Sequence, residues 1–316
     1  MDRFEEIKQN ALTRSTLVGA MEIRRLIREW FLREGFVEVE TPVLVRAPGQ
    51  EPYLNPLETV VRDERGTEVA AYLITSPEYA LKKLLVAGFP KIFELARCFR
   101  NGEPRGRLHN PEFTMLEWYR AGTDYRGIME DCERLVYFIA QQLPITNYQL
   151  PVTFFAPPWE RLSVRDAFNT YADTDLEAVA SDDEFFKIFL SKVEPHLGRS
   201  QPTILYDYPA SMAALARIKR DDPRYAERFE VYINGIELAN AFSELGDADE
   251  QRERFLSEQE TRRGAGRPIH PIDEEFLAAL KAGLPECGGI ALGVDRLAMV
   301  LLDAKSIREV VFFPYS

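Results

Sequence analysis

Between residues 15 and 34 apolar side chains return every three or four positions. Ala20, Ile23, Ile27, Trp30 and Phe31 mark a helix with one buried stripe. Ser15 is placed to cap it and Gly35 to end it. FVEVETP then alternates as a short strand and stops at Pro42. Residues 43–75 carry turn signals at Pro48-Gly49 and Arg65-Gly66 and read as a loop and a hairpin. SPEYALKKLLVAG predicts a helix capped by Ser76, with Pro77 in its first turn and Gly88 at its end. Residues 91–120 read as two strands joined by a polar loop, and 124–143 as a helix. Residues 144–225 give only short helices and a solvated acidic stretch from Asp173 to Glu184. FEVYINGIELANAF is a hairpin about Asn234-Gly235, a pair suited to a tight two-residue turn. EQRERFLSEQETRR is a charged surface helix, IDEEFLAALKAG a further helix, and 288–303 a last strand and helix.

The chain of 316 residues, 46% hydrophobic, suffices for one large domain or two ordinary ones with a full core. Its net charge of −12 argues against a protein that grips nucleic acid by neutralising many phosphates, though a local basic cleft is compatible with it. Cys98, Cys132 and Cys287 are far apart and form no CxxC. They point to neither a zinc site nor a disulfide framework, and to a reduced, cytoplasmic setting. The charged start MDRFEEIKQN is no signal peptide, and the longest apolar run, Leu297 to Leu302, is too short for a bilayer, so no membrane partner is expected.

Chemistry concentrates in FRNGEPRGRLHNPEFTMLEWY, from Phe99 to Tyr119. Its loop carries Arg100, Glu103, Arg105, Arg107 and His109, a layout able to hold a nucleoside triphosphate. On its second strand Phe113, Met115, Glu117 and Tyr119 share one face. Phe113 to Glu117 spans about 13 Å at roughly 3.3 Å per residue, the distance from an adenine ring to an acyl group on the α-phosphate. A plain core strand would not put a carboxylate beside Phe and Met, because burying it unpaired is costly. The planar fork of Arg100 suits a bidentate grip on phosphate or carboxylate. In GGIALGVDRL the glycines let the backbone approach a ligand, and Arg296 opens the next helix. Glu230 and Glu237 flank the Asn-Gly turn. With substrate phosphates they would suit Mg2+, and they would equally suit a solvated charge pair.

These segments resemble the catalytic core of class II aminoacyl-tRNA synthetases of the lysine type. Motif 1 falls at about 20–42, motif 2 at about 91–120 and motif 3 at about 288–303, within a likeness covering about 15–314. The resemblance implies an α+β fold, an antiparallel sheet flanked by helices, as one catalytic domain over 1–316 that dimerises through motif 1. It implies a catalytic pair, Arg100 and Arg296. Arg100 would bridge the α-phosphate of ATP and the substrate carboxylate, and Arg296 would grip the γ-phosphate. Glu103 would read the adenine amino group, Phe113 would stack on adenine, and His109, Asn110 and Glu237 would complete the ATP set. Glu230 and Glu237 would hold Mg2+. ELANAFSEL resembles the lysine signature that sends Asn240 and Glu244 into the pocket. Glu78 matches the residue at the substrate amine near the carboxylate end, and Glu117 and Tyr119 those at the distal amine. Ala291 and Gly293 line the same pocket. Three carboxylates, Glu78, Glu117 and Glu244, crowd one small site, which is unfavourable unless cations bind there, and a diamino acid brings two ammonium groups. Its carboxylate is already ionised, so attack on the α-phosphorus needs no general base, only positioning and charge neutralisation.

Two departures from the synthetases stand out. Only residues 1–14 precede the motif 1 helix, where an anticodon-binding domain is expected, and Ala291 replaces a glycine. That methyl group would shift amino-acid discrimination by about 1–3 kcal/mol. Both departures resemble a paralogue family, the elongation factor P–(R)-β-lysine ligases. This implies activation of (R)-β-lysine or lysine and transfer to the ε-amino group of a lysine of elongation factor P, without tRNA as a partner. A shortened lysyl-tRNA synthetase, a small-molecule amide synthetase and a non-catalytic regulatory paralogue stay open. The last predicts a damaged nucleotide set, yet Arg100, Glu103, Phe113, Glu230, Glu237 and Arg296 are all present.

Overall fold

The computed structural model describes residues 2–51, 53–104, 106–143 and 150–315, so Arg105 lies outside the described residues. Helix α1 (Arg3–Gln9) leads into α2 (Ala11–Arg33), whose buried stripe includes Leu17, Ala20, Ile23, Ile27, Trp30 and Phe31. Asn10, not Ser15, caps α2, its side chain accepting from Leu12 N–H at 2.9 Å and Thr13 N–H at 3.2 Å. The first turn of α2 is exposed, so hydrophobic periodicity starts only at Leu17 and hides the true beginning. Gly35 ends the element at φ +77°, a conformation that costs glycine little.

Strand β1 (Val37–Glu38) and the small sheet β2 (Leu44–Val45), β3 (Leu57–Arg62) and β4 (Glu68–Leu73) follow, with the β3–β4 turn at Arg65-Gly66. Then come α3 (Glu78–Val86), β5 (Lys91–Phe99), β6 (Glu112–Ala121) and α4 (Tyr125–Gln142). Strand β7 (Glu160–Ser163), α5 (Val164–Ala167) and α6 (Asp182–Ile188) form a satellite layer with its own core, including Phe168, Phe185 and Phe189. Strands β8 (Thr203–Pro209), β9 (Tyr225–Ile233) and β10 (Ile236–Ser243) precede α7 (Ala248–Gly264), α8 (Glu274–Gly283), β11 (Cys287–Gly293), α9 (Val294–Leu301) and α10 (Ile307–Val310). Asn234 and Gly235 take φ of 53° and 72°, the paired positive values of the expected hairpin turn.

The large sheet of the described residues runs β1-β5-β6-β11-β10-β9-β8-β7. Its central pairings are antiparallel, and both edge strands, β1 and β7, pair parallel. Alternation divides each strand between two jobs. On β6, Leu116 and Trp118 join the main core with Phe31 and Phe93 beneath α2, α4 and α9. Phe31 stacks on Phe93 at 4.5 Å and meets Trp118 edge-on at 5.2 Å. Phe113, Met115, Glu117 and Tyr119 turn to the opposite face.

Helix α7 corrects the surface-helix reading. Gln251, Phe255 and Arg262 are buried on one side of it. Arg262 donates to the carbonyls of Pro268 at 2.7 Å and Leu54 at 2.8 Å, and to Asn55 Oδ1 at 3.0 Å. A helix can be charged all round in composition and still dock by one arginine. No helix of the described residues is long and apolar enough to cross a membrane.

Candidate active site

The polar face of the sheet floors a cavity of about 740 Å³. Of the residues named from sequence, Glu78, Arg100, Glu103, His109, Asn110, Phe113, Tyr119, Glu230, Glu237, Asn240, Ala291, Gly293 and Arg296 line it. Glu117 and Glu244 do not. They lie fully buried behind its wall.

At one end Arg100 leaves β5 with its guanidinium 5.2 Å from the Phe113 ring and 3.7 Å from Glu103 Oε1. A flat apolar ring and a cation thus sit side by side, as a nucleobase and its phosphates require. Arg296, in the first turn of α9, donates to the Glu237 carbonyl at 2.9 Å and contacts His109 Nε2 at 3.1 Å. A guanidinium only donates, so His109 Nε2 accepts and the ring proton sits on Nδ1. Burial, then Arg296 and Arg100, lower the His109 pKa and keep the ring neutral. Asn110 has both polar ends engaged, donating to Glu112 O at 2.5 Å and accepting from Tyr315 N–H at 2.9 Å. It ties the motif 2 loop to the C-terminal tail.

Two residues behind this end were not read from the sequence as parts of the site. Asp295 pairs with Arg24 of α2 at 2.8 Å and accepts Thr114 N–H at 2.8 Å, rather than pairing with its neighbour Arg296. Motifs 1, 2 and 3 are joined by this one carboxylate. Arg228 donates to Asn240 Oδ1 at 3.0 Å and to Glu230 Oε1 at 2.6 Å.

Glu230 also accepts from Tyr208 at 2.5 Å and from Tyr232 at 2.6 Å. Glu237 faces it from β10. Burial and then the Glu230 charge raise the Glu237 carboxyl to about 7, against the pull of Arg296, Arg100 and Arg228. An irregularity at Leu238 makes this possible. Glu237 pairs with Tyr232, and after the bulge Asn240 pairs with Glu230, so residues three apart face the same way. No group of three or more ligating side chains could hold a metal by itself among the described residues. The oxygen donors and the raised Glu237 fit a Mg2+ ion carried largely by substrate phosphates.

At the other end the three carboxylates meet. Ser76 Oγ donates to Glu117 Oε1 at 2.5 Å and accepts Glu78 N–H at 3.1 Å. Tyr119 donates to Glu117 Oε2 at 3.0 Å. Burial and then Glu78 push Glu117 well above the usual carboxylate range. Burial raises Glu244 to about 8, with Lys82 opposing and Glu78 adding to the rise. The cation expected among these carboxylates is partly internal. Lys82, fully buried, lies 2.5 Å from Glu78 Oε1 and 2.5 Å from Glu244 Oε2. Its position four residues after Glu78 on a predicted helix was the signal available in sequence. Gly289 is obligatory beside them, since a Cβ would come within 2.2 Å of Tyr119 Cε1 and 2.3 Å of Glu244 Oε1. Glu51 and Glu258 also line the cavity. Their carboxylates make no hydrogen bond or ion pair with another described residue, although Arg262 donates to the Glu51 carbonyl at 3.2 Å, and burial raises both, Glu258 to about 8.

The profile of tRNA synthetases class II (D, K and N) matches residues 2–316. The chain is 43% identical over 320 residues to the elongation factor P–(R)-β-lysine ligase of Pectobacterium carotovorum subsp. carotovorum, covering 96% of this chain and 94% of that one. It is 42% identical over 323 residues to the protein of that name from Proteus mirabilis, covering 95% of each. The Salmonella typhi protein of that name is 43% identical over 299 residues, covering 91% of each.

Proposed function

This chain belongs to the tRNA synthetases class II (D, K and N), and on that premise we propose that it activates (R)-β-lysine, or lysine, and transfers it to the ε-amino group of a lysine of elongation factor P. It is an ATP-dependent ligase. The observation that carries the choice of substrate is the gathering of Glu78 on the wall, and of Glu117 and Glu244 just behind it, at one end of a cavity whose other end holds Arg100, Phe113 and Arg296.

In the first step a carboxylate oxygen of the amino acid attacks the α-phosphorus of ATP, the bond to the bridging oxygen breaks, and pyrophosphate leaves. Arg100 offsets the charge that builds at the α-phosphate and aligns the incoming carboxylate. Phe113 stacks on adenine, Glu103 reads its amino group, and Asn110 holds the loop that carries Glu103. Arg296, with neutral His109 beside it, takes the phosphate tail. Glu237, supported by Glu230, would hold Mg2+, which when bound offsets pyrophosphate charge. Glu78 takes the amine near the carboxylate, Glu117, Tyr119 and Glu244 the distal amine, with Asn240, Ala291 and Gly293 shaping the space between. In the second step the neutral acceptor amine attacks the acyl carbon, an amide forms, and AMP leaves.

The net charge of −12 supports a protein acceptor over tRNA. Exposed Val18, Leu32 and Val37 about α2 and β1 support a homodimer, and the reduced cysteines a cytoplasmic setting. The test is ATP–pyrophosphate exchange with α-lysine and (R)-β-lysine in parallel, followed by intact mass of elongation factor P and acid-precipitable tRNA label. A gain of one lysyl unit on the protein with uncharged tRNA is the expected result. Charged tRNA with unmodified protein would mean a shortened synthetase.

A further inference from the structure

Three carboxylates and a substrate with two ammonium groups leave one negative charge unmatched. Lys82 supplies the missing positive charge from within the fold. It is wholly buried on α3, one turn after Glu78, and its Nζ bridges Glu78 Oε1 and Glu244 Oε2 at 2.5 Å each. Glu244 is itself buried, and its Oε1 has no hydrogen-bond partner among the described residues. That oxygen is buried directly behind Gly289, a cavity-lining residue on which a Cβ would come within 2.3 Å of it. Glu78 likewise gives one oxygen to Lys82 while lining the cavity.

We propose that Lys82 is a positioning and specificity residue of the amino-acid pocket. Its ammonium holds Glu78 and Glu244 at a fixed separation, turns the second oxygen of Glu244 towards the cavity wall, and cancels one of three carboxylate charges. What remains matches a diamino acid and no simpler amine. The inference rests on the diamino-acid reading given above.

A buried ion pair with a purely structural role would affect folding and leave the charge bookkeeping of binding unchanged. Substitution of Lys82 by Met keeps length and removes charge. Two like charges left in contact then retain a proton at neutral pH. A bound diamino acid, two ammonium groups against three carboxylates, leaves that proton in place, whereas in the wild type Lys82 makes the balance even and the proton on Glu244, raised to about 8, is displaced. Calorimetric titration of wild type and Lys82→Met with the diamino acid, in two buffers of different ionisation enthalpy, should show about one fewer proton released per site in the variant. In ATP–pyrophosphate exchange its KM for the diamino acid should rise about tenfold at pH 7 and fall less steeply with rising pH than the wild-type KM, while the KM for ATP moves less than about twofold. The groups facing Lys82 are Glu78 on its own helix, Glu244 after β10 and Cys287 on β11, while Glu117 and Tyr119 on β6 face the carboxylates it bridges. Lys82→Arg, which restores the charge, should restore the wild-type proton count.

An unchanged proton count and an unchanged pH profile in folded Lys82→Met overturn the proposal. If that variant does not fold, Lys82→Gln, which keeps a donor for one carboxylate, is read by the same two criteria. Wild-type protein that exchanges with neither diamino acid overturns instead the reading of function beneath it.

Discussion

Arg24 Nη2 stands 2.8 Å from Asp295 Oδ1, and this ion pair ties the first long helix to the last. Both side chains are largely buried, and the second oxygen of Asp295 holds Thr114 N–H on β6. Removing one partner strands the other in a medium that solvates it poorly. Asp295→Ala should therefore lose about 3–5 kcal/mol of unfolding free energy, measured by urea denaturation. A loss within the error of the measurement would mean that the three motifs are held together by other contacts.

Glu244→Gln keeps the shape of the pocket and removes one charge. Trading a charge-assisted contact for a neutral one weakens binding by about 1.5–3 kcal/mol, so the KM for the diamino acid should rise about 10- to 150-fold with ATP affinity preserved. Exchange kinetics over both substrates measure the split. A normal KM for the diamino acid would remove Glu244 from the pocket.

The raised Glu244 carboxyl makes stability depend on pH with a definite sign. Its folded value of about 8 lies above the ordinary carboxylate value. Between the two the folded chain binds more protons than the unfolded one, so this group costs stability progressively as pH rises from about 4.5 to 8. Glu237 acts in the same direction but more weakly, because its side chain is 41% exposed and solvent screens it. His109 and His270, both lowered, act oppositely, so the readout is the difference between wild type and Glu244→Gln. Thermal melts from pH 5 to 9 should show the variant gaining on wild type as pH increases. Parallel curves would count against the raised carboxyl.

Gly289→Ala places a methyl group against Tyr119 and the partnerless oxygen of Glu244. Tyr119 is buried and cannot retreat freely. Diamino-acid-dependent exchange should fall at least about a hundredfold, with ATP binding by calorimetry unchanged, since roughly 1 Å of displacement at a reacting centre costs that much. Full activity would mean that Tyr119 yields.

Asn10→Ala should cost about 1 kcal/mol, the usual worth of a helix N-cap, and Ser15→Ala close to nothing. Chemical denaturation of both variants reads the comparison directly.

The pair Asn10 and Ser15 also shows what sequence could and could not convey. Periodicity reports burial, so it located α2 by its buried stripe and missed its exposed first turn. The same alternation separated Leu116 and Trp118 from Phe113, Met115, Glu117 and Tyr119, and the two sets do lie on opposite faces of β6. The Asn234-Gly235 turn was legible because its dihedral demands leave few residues to choose from. Lys82, Arg228 and Asp295 were not read as parts of the site. Each looks like an ordinary surface charge in one dimension, and its role depends on partners brought from distant strands and helices. Tyr208, from a strand the pattern did not resolve, offered no signal at all.

The bulge at Leu238 is one extra residue, and its effect reaches the whole cavity. In a regular strand, side chains three apart point to opposite faces, so β10 could present Glu237 or Asn240 to the cavity, but not both. The inserted residue lets a single strand act as a shared rail, with both side chains set along it at a spacing fixed by backbone hydrogen bonds. Deleting Leu238 would leave the sheet able to form and turn one end of that rail towards the helices.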